Sequence, residues 1–293
     1  MHRKFEGTGV ALVTPFHPDG AIDFPSLTRL VEHCIAGAVD YLVVLGTTGE
    51  SATLSSREKA AVLECVKTAN NGRKPIVLGH GGNNTPELTE AIGSVQWDGV
   101  DAILSVSPYY NKPSQEGIRA HYERIADASP VPLILYNVPG RTGSNLSAAS
   151  TLHLARHPRI IGIKEASGNV EQCMAIAAGK PDDFLLISGD DLLTPSLMAI
   201  GAVGAISVLA NSHPREFSAM VNFCRSRDYS AASRIWKNWI SLNPLLYEEG
   251  NPVGIKAVLS EKGICGPHVR LPLLPAGDSL QARISEVLEN GTL

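Results

Sequence analysis

The sequence predicts an α/β protein, a (β/α)8 TIM barrel followed by a C-terminal helical extension. Eight short apolar runs recur along the 293 residues at intervals of about 20 to 35. Each run is apolar throughout instead of alternating, as expected of parallel strands buried on both faces. The segments between runs carry apolar residues at helical spacing, and no linker or low-complexity stretch interrupts them, so eight strands of this length close most simply into one barrel.

The first strand is expected over residues 10–16. A helix follows with Leu27, Leu30, Val31, Cys34 and Ile35 on one face, led by Asp23 or Ser26 as its cap. The second strand, 41–45, ends in Gly46-Thr47-Thr48-Gly49-Glu50. Its glycines let backbone N–H groups approach a ligand closely, which suits a carboxylate better than a nucleotide. Taken alone, the same turn is also what a plain strand-to-helix connection looks like. A helix after Ser55 and Ser56 carries the Ala60-to-Val66 run, and the third strand, 76–79, ends at Gly79-His80-Gly81-Gly82. Neither glycine cluster has the spacing of a P-loop or a dinucleotide fingerprint.

The fourth strand, 102–107, runs into Ser107-Pro108-Tyr109-Tyr110-Asn111. The fifth, 133–137, runs into Tyr136-Asn137-Val138-Pro139-Gly140-Arg141-Thr142-Gly143. The sixth, 160–164, ends on Lys164. A lysine stem set among apolar neighbours strips water from its ammonium and makes the free amine, the form that attacks a carbonyl, easier to reach. An isolated strand-end lysine is more often paired with a carboxylate, here Glu165. In this chain, however, tyrosines, a threonine and an arginine fall at neighbouring strand ends. Phenols and hydroxyls relay protons and a guanidinium clamps a carboxylate, so the set describes a site for a keto acid. The seventh strand, 184–188, leads into Ser188-Gly189-Asp190-Asp191, and the eighth covers 205–209. Beyond it only helical patterning remains, over 214–243, 252–262 and 278–290. The expected division is a barrel over 1–224 and a helical extension over 225–293.

Composition narrows the partners. With 25 Lys and Arg against 29 Asp and Glu, a net charge of −4 and no basic run, the chain has no electrostatic footprint for nucleic acid or an anionic membrane. A small molecule is the expected partner. The N-terminus lacks the apolar stretch of a secretion signal, and the longest nearly apolar stretch, 197–210, is too short to span a bilayer. Five cysteines without a CxxC pair read as reduced thiols of a cytoplasmic protein. His153 and His157 stand four apart without a metalloprotease carboxylate, His80 has no second strand-end histidine, and Lys164 already supplies the electron sink that Mg²⁺ on Asp190 and Asp191 would offer. No metal and no cofactor are expected.

Four of these segments, Gly46-Thr47-Thr48-Gly49-Glu50, Ser107-Pro108-Tyr109-Tyr110-Asn111, the Tyr136-to-Gly143 segment and Gly162-Ile163-Lys164-Glu165, closely resemble the pyruvate-dependent class I lyases grouped with N-acetylneuraminate lyase. The likeness covers essentially the whole chain and includes Ser188-Gly189-Asp190-Asp191, Gly204-Ala205-Ile206-Ser207 and Glu249-Gly250-Asn251-Pro252. It is strongest to the members that join pyruvate to L-aspartate 4-semialdehyde in lysine and diaminopimelate biosynthesis. The resemblance implies that Lys164 forms a Schiff base with pyruvate and that Tyr136, Thr47 and Tyr110 relay protons, Tyr110 across a subunit contact of a homotetramer built from dimers. It implies that Thr48 and nearby amides hold the pyruvate carboxylate, that Gly189 and Ile206 line the pocket, and that Arg141 receives the carboxylate of the semialdehyde. Sialic acid lyases typically lack the arginine in this form. The stretch Leu246-Tyr247-Glu248-Glu249-Gly250 is less regular than the family pattern. Ser51, Ala52, Asn83, Glu87 and Tyr109 match a regulatory lysine site, but Ser56 and Lys59 stand where certain inhibited members carry histidines, and a cation at Lys59 repels a cationic ligand within a Debye length. Weak or absent inhibition is the expectation. Another pyruvate aldolase, or a silent metabolite-binding barrel, stays open as an alternative.

Overall fold

A computed structural model describes residues 2–290. Eight parallel strands, β1 (Gly7–Ala11), β2 (Tyr41–Val44), β3 (Ile76–Gly79), β4 (Ala102–Val106), β5 (Leu133–Asn137), β6 (Ile160–Glu165), β7 (Leu185–Ser188) and β8 (Gly204–Ser207), pair in chain order, and β8 closes on β1. The helices are α1 (Phe24–Ala36), α2 (Ser56–Asn70), α3 (Thr85–Ile92), α4 (Gln115–Ala128), α5 (Pro139–Thr142), α6 (Ala148–Leu154), α7 (Val170–Gly179), α8 (Thr194–Ala199) and α9 (Pro214–Arg225). After them come α10 (Tyr229–Trp236), α11 (Leu242–Leu245), α12 (Val253–Glu261) and α13 (Asp278–Asn290). The predicted TIM barrel is therefore present. The last three residues of the predicted tail, 291–293, lie outside the described residues.

The uninterrupted apolar runs have a direct explanation in the packing. Tyr41 and Val43 belong to a cluster inside the barrel with Val77, Leu104, Ile134, Ile187 and Ile206, while Leu42 and Val44 belong to the larger layer between strands and helices. Both faces of each strand are dry, so apolar side chains dominate both. Helix starts follow local chemistry. Asp23, not Ser26, caps α1 by accepting from Ser26 N–H at 2.9 Å, and Ser55 and Glu58 form a reciprocal capping box on α2.

The first strand departs from the prediction. It begins at Gly7 and ends at Ala11, not over 10–16. Gly7-Thr8-Gly9 does not read as apolar, yet its glycines are required: a Cβ on Gly9 would lie 2.2 Å from the Tyr41 ring. The remaining predicted strands end within a residue or two of those observed; β8 stops at Ser207 because the chain turns into the 3-10 turn Leu209–Asn211. The β7–β8 ladder carries one aligned pair, Ser188 with Ala205, against five between β5 and β6. His153 and His157 each face a carboxylate on α4, Glu123 and Asp127, both at 3.1 Å. Among the described residues no helix is long and apolar enough to cross a membrane.

The tail is locked to the barrel by buried charge. Glu50, directly after the Gly-Thr-Thr-Gly turn, is 5% exposed and adopts the left-handed conformation at φ 50°. Its Oε1 accepts from Lys256 Nζ of α12 at 2.6 Å and its Oε2 from the Arg270 backbone N–H at 2.9 Å. Lys256 is fully buried, donates also to the His268 carbonyl at 2.7 Å and lies 4.2 Å from the centre of the Phe16 ring. Burial pulls the Lys256 pKa down, while Glu50 acts in the opposite direction. The Arg270 side chain binds Glu58 at 2.5 Å and the Gly20 and Thr53 carbonyls, and it holds the Glu58 carboxyl down at about 2.

Removing one partner of such a pair strands a charge in a dry site. Lys256→Met is expected to cost about 3–5 kcal/mol in urea or thermal unfolding, and adding Glu50→Gln to recover most of it. A loss below about 1 kcal/mol, typical of a solvated pair, would show that Glu50 is satisfied without Lys256.

Candidate active site

Lys164 emerges from the C-terminal end of β6 into the barrel mouth. The register between β5 and β6 slips after Leu133, which aligns Tyr136 with Lys164 and Asn137 with Glu165. As a result the Lys164 Nζ stands 4.4 Å from the centre of the Tyr136 ring. Both side chains are buried, Lys164 at 5% exposure and Tyr136 at 7%. Gly189, at the end of β7, makes room for the lysine stem: a Cβ there would lie 3.0 Å from Lys164 Cε and 2.6 Å from Ala166 Cβ. Ile206 of β8 is buried in the same inner cluster as Tyr136.

The plain ion-pair reading of Lys164 does not hold, because Glu165 is otherwise engaged. Its carboxylate accepts from Ser167 N–H at 2.7 Å, Asn137 Nδ2 at 3.0 Å and Gln172 Nε2 at 2.9 Å. Asn137 in turn accepts from Leu146 N–H at 2.9 Å and donates to Asn145 at 2.8 Å. This amide network fixes the segment from 137 to 146 that carries α5 and Arg141. Among the described residues Lys164 forms no ion pair.

Thr47 and Thr48 lie in the 3-10 turn Thr47–Gly49 at the end of β2. Thr48 is 2% exposed and its hydroxyl accepts from Asn251 Nδ2 at 3.0 Å, so the tail orients it. Thr47 is half-buried. The turn is also held by Thr14, whose hydroxyl donates to the Gly49 carbonyl at 2.7 Å. Backbone amides, a fixed hydroxyl and a dry floor suit a small carboxylate.

Two predicted residues stand apart from this cup. Arg141 is exposed on α5, one short turn beyond Tyr136. Tyr110 is 86% exposed with φ 74°, its backbone N–H donating to the Thr142 carbonyl at 3.2 Å, so within one chain it is not part of the buried cup. The five residues matched to a lysine site, and Lys59 beside them in that comparison, lie around neighbouring strand ends: Ser51 and Ala52 in the turn Ser51–Thr53, Lys59 on α2, Asn83 and Glu87 at the start of α3, and Tyr109 after β4. Asn83 Nδ2 donates to the Tyr109 carbonyl at 3.3 Å. Burial lowers the His80 pKa, its bond to the Leu88 carbonyl opposes this, and the Lys59 charge lowers it further.

Sequence reasoning missed Glu50, Lys256, Arg270, Asn251 and Tyr247 as members of the site's frame. The legible signal was Lys256, a charge inside the otherwise buried run from Val253 to Leu259. Tyr247 lies in the stretch noted as irregular. Burial drives its phenol well above the ordinary range, the carboxylates of Asp191 and Asp190 and the phenol of Tyr136 add to the rise, and Arg141 opposes it.

Comparison with known proteins agrees along the whole chain. The profile of the dihydrodipicolinate synthetase family matches residues 4–290. The 4-hydroxy-tetrahydrodipicolinate synthase of Cytophaga hutchinsonii is 50% identical over 286 residues, 98% of this chain and 96% of the relative. Among solved structures, the chloride-inhibited dihydrodipicolinate synthase of Acinetobacter baumannii complexed with pyruvate superposes with a TM-score of 0.94 at 40% identity, covering 97% of this chain and 98% of that one. The enzyme of Cyanidioschyzon merolae with lysine bound gives 0.93 at 38% identity, covering 98% of each chain.

Proposed function

The chain belongs to the dihydrodipicolinate synthetase family, and from that membership we propose that it is a lyase condensing pyruvate with L-aspartate 4-semialdehyde to 4-hydroxy-tetrahydrodipicolinate in lysine and diaminopimelate biosynthesis. The observation that carries this reading is Lys164: buried, without an ion pair among the described residues, and set against the Tyr136 ring at the mouth of a closed barrel.

The chemistry assigned to these residues balances as follows. The neutral Lys164 amine adds to the pyruvate ketone, forming a C–N bond and a carbinolamine. The former carbonyl oxygen leaves as water, and one proton taken up leaves a protonated imine. Loss of a methyl proton gives an enamine, whose carbon attacks the semialdehyde while the aldehyde oxygen takes a proton. The amine of the semialdehyde then displaces Lys164 and closes the ring, so the net change is one water released. In this reading Tyr136 carries the first proton, with Thr47 and Tyr110 passing it onward. Thr48 and the turn amides hold the pyruvate carboxylate, Gly189 and Ile206 wall the pocket, and Arg141 clamps the carboxylate of the second substrate.

The reading includes a cytoplasmic homotetramer, a dimer of dimers in which Tyr110 completes the partner's relay. Its support is the Tyr110 ring, 86% exposed, and five cysteines that are all free thiols. The tail beyond 224 is read as an extension that serves the barrel's turn instead of a separate unit.

Three outcomes test the reading. Borohydride added with pyruvate should inactivate the protein and leave one adduct, on Lys164, in a peptide map; an adduct elsewhere, or none, rules Lys164 out as nucleophile. Arg141→Ala should weaken use of the semialdehyde by about 1.5–3 kcal/mol, roughly 10- to 150-fold in kcat/KM, and leave pyruvate trapping nearly intact; equal loss of both points to a structural role. Sedimentation at assay concentration should show an oligomer, and a fully active monomer contradicts the shared relay.

A further inference from the structure

The loop after β4 and the loop after β5 are joined at three successive points. At the front, the Tyr110 backbone N–H donates to the Thr142 carbonyl at 3.2 Å. Next, Gly143 takes φ 73° and leaves room for the Lys112 stem, since a Cβ there would lie 3.1 Å from Lys112 Cε. At the rear, Gln115, the first residue of α4, uses both ends of its side-chain amide. Its Nε2 donates to the Asn145 carbonyl at 2.7 Å, and its Oε1 accepts from the Ser147 N–H at 3.1 Å.

These ties bear on Arg141, which lies on the loop they fasten. The guanidinium forms no ion pair among the described residues, so its reach is set by where its backbone is held. Asn137 closes the base of that loop by accepting from Leu146 N–H, and Gln115 fastens its far end to α4. The helix is a firm support: Ser114 caps it by accepting from Gly117 N–H at 3.2 Å, and Ile118, Tyr122 and Ile125 are fully buried. Glutamine suits the task because its amide carries a donor and an acceptor in one plane, matching a backbone C=O and an N–H two residues apart. A glutamate would set an oxygen against the Asn145 carbonyl, and a methionine would offer neither group.

We propose that Gln115 is a positioning residue for the second substrate: by fastening the loop after β5 to α4 it sets where Arg141 meets the carboxylate of the semialdehyde. This rests on the reading of Arg141 as the clamp for that carboxylate. A two-pronged guanidinium–carboxylate pair requires fixed geometry, and a misplacement of about 1 Å costs on the order of 100-fold in rate. The bonds of Gln115 end on Asn145 and Ser147 and involve neither Lys164, Tyr136 nor the turn Thr47–Gly49. Its influence therefore falls on the aldehyde and spares the addition of pyruvate to Lys164.

Gln115→Met, close to glutamine in length but without either hydrogen-bonding group, tests this. Pyruvate and borohydride should still trap Lys164 to the wild-type extent, and the pyruvate KM should stay unchanged. The semialdehyde KM should rise, and kcat/KM for the semialdehyde should fall by about tenfold, no further than in Arg141→Ala. In the Arg141→Ala background the same Gln115→Met change should alter that kcat/KM by less than roughly twofold, because the group it acts through is gone. If Gln115→Met does not fold, Gln115→Glu carries the same cycle with the same expected result. A full, additive loss in the double variant, or equal loss of pyruvate trapping and semialdehyde use in the single one, would overturn the proposal. Wild-type use of the semialdehyde by Arg141→Ala would overturn the reading of Arg141 itself, and the proposal with it.

Discussion

The site depends first on a buried ion pair that takes no part in the chemistry assigned to it. Glu50 must enter the left-handed region to follow the Gly-Thr-Thr-Gly turn, at a cost of about 1–2 kcal/mol for a residue with a side chain. Lys256 and the Arg270 amide hold the carboxylate there from the tail, 206 and 220 residues away along the chain. Such a pair gains little net stability over apolar residues of the same shape, because desolvating two charges offsets most of their attraction. Its value lies in geometry: it admits one arrangement of the turn, and with Asn251 on Thr48 it fixes the turn proposed to receive a carboxylate.

A second constraint sets the nucleophile. The slipped register between β5 and β6 places Tyr136 beside Lys164 and Asn137 beside Glu165 in one step. The first pair forms the floor of the cup, and the second forms the amide network beneath the arginine segment. One hydrogen-bonding decision thus positions the lysine, the phenol proposed to relay for it and the loop proposed to admit the second substrate. Dispersion alone would not fix these directions, whereas paired amides around a buried carboxylate have few alternative partners.

Much of this was legible in the residues. Lys164, Tyr136 and the threonine pair were readable because strand ends in a closed barrel converge on one face, so short motifs at successive ends must be neighbours, whereas Gly189 and Ile206 were implied only by the family resemblance. The first strand was misplaced because its requirement is steric: Gly9 is needed for the Tyr41 ring, and a glycine carries no hydrophobic signal. Tyr247 was seen only as an irregularity. Burial and the carboxylates of Asp191 and Asp190 push its phenol up, an environment that no local pattern encodes.

The sequence by itself determined the periodic features: eight dry strands, their helices and caps, the order of the strand ends, and through its motifs the family. These are local properties, set by burial and hydrogen bonding within a few residues. Only the tertiary structure decided which distant charges meet, that Lys256 takes Glu50 and that Glu165 turns from Lys164 to amides. Charge pairing acts through space at distances that chain order does not record, so it is decided only once the barrel has closed.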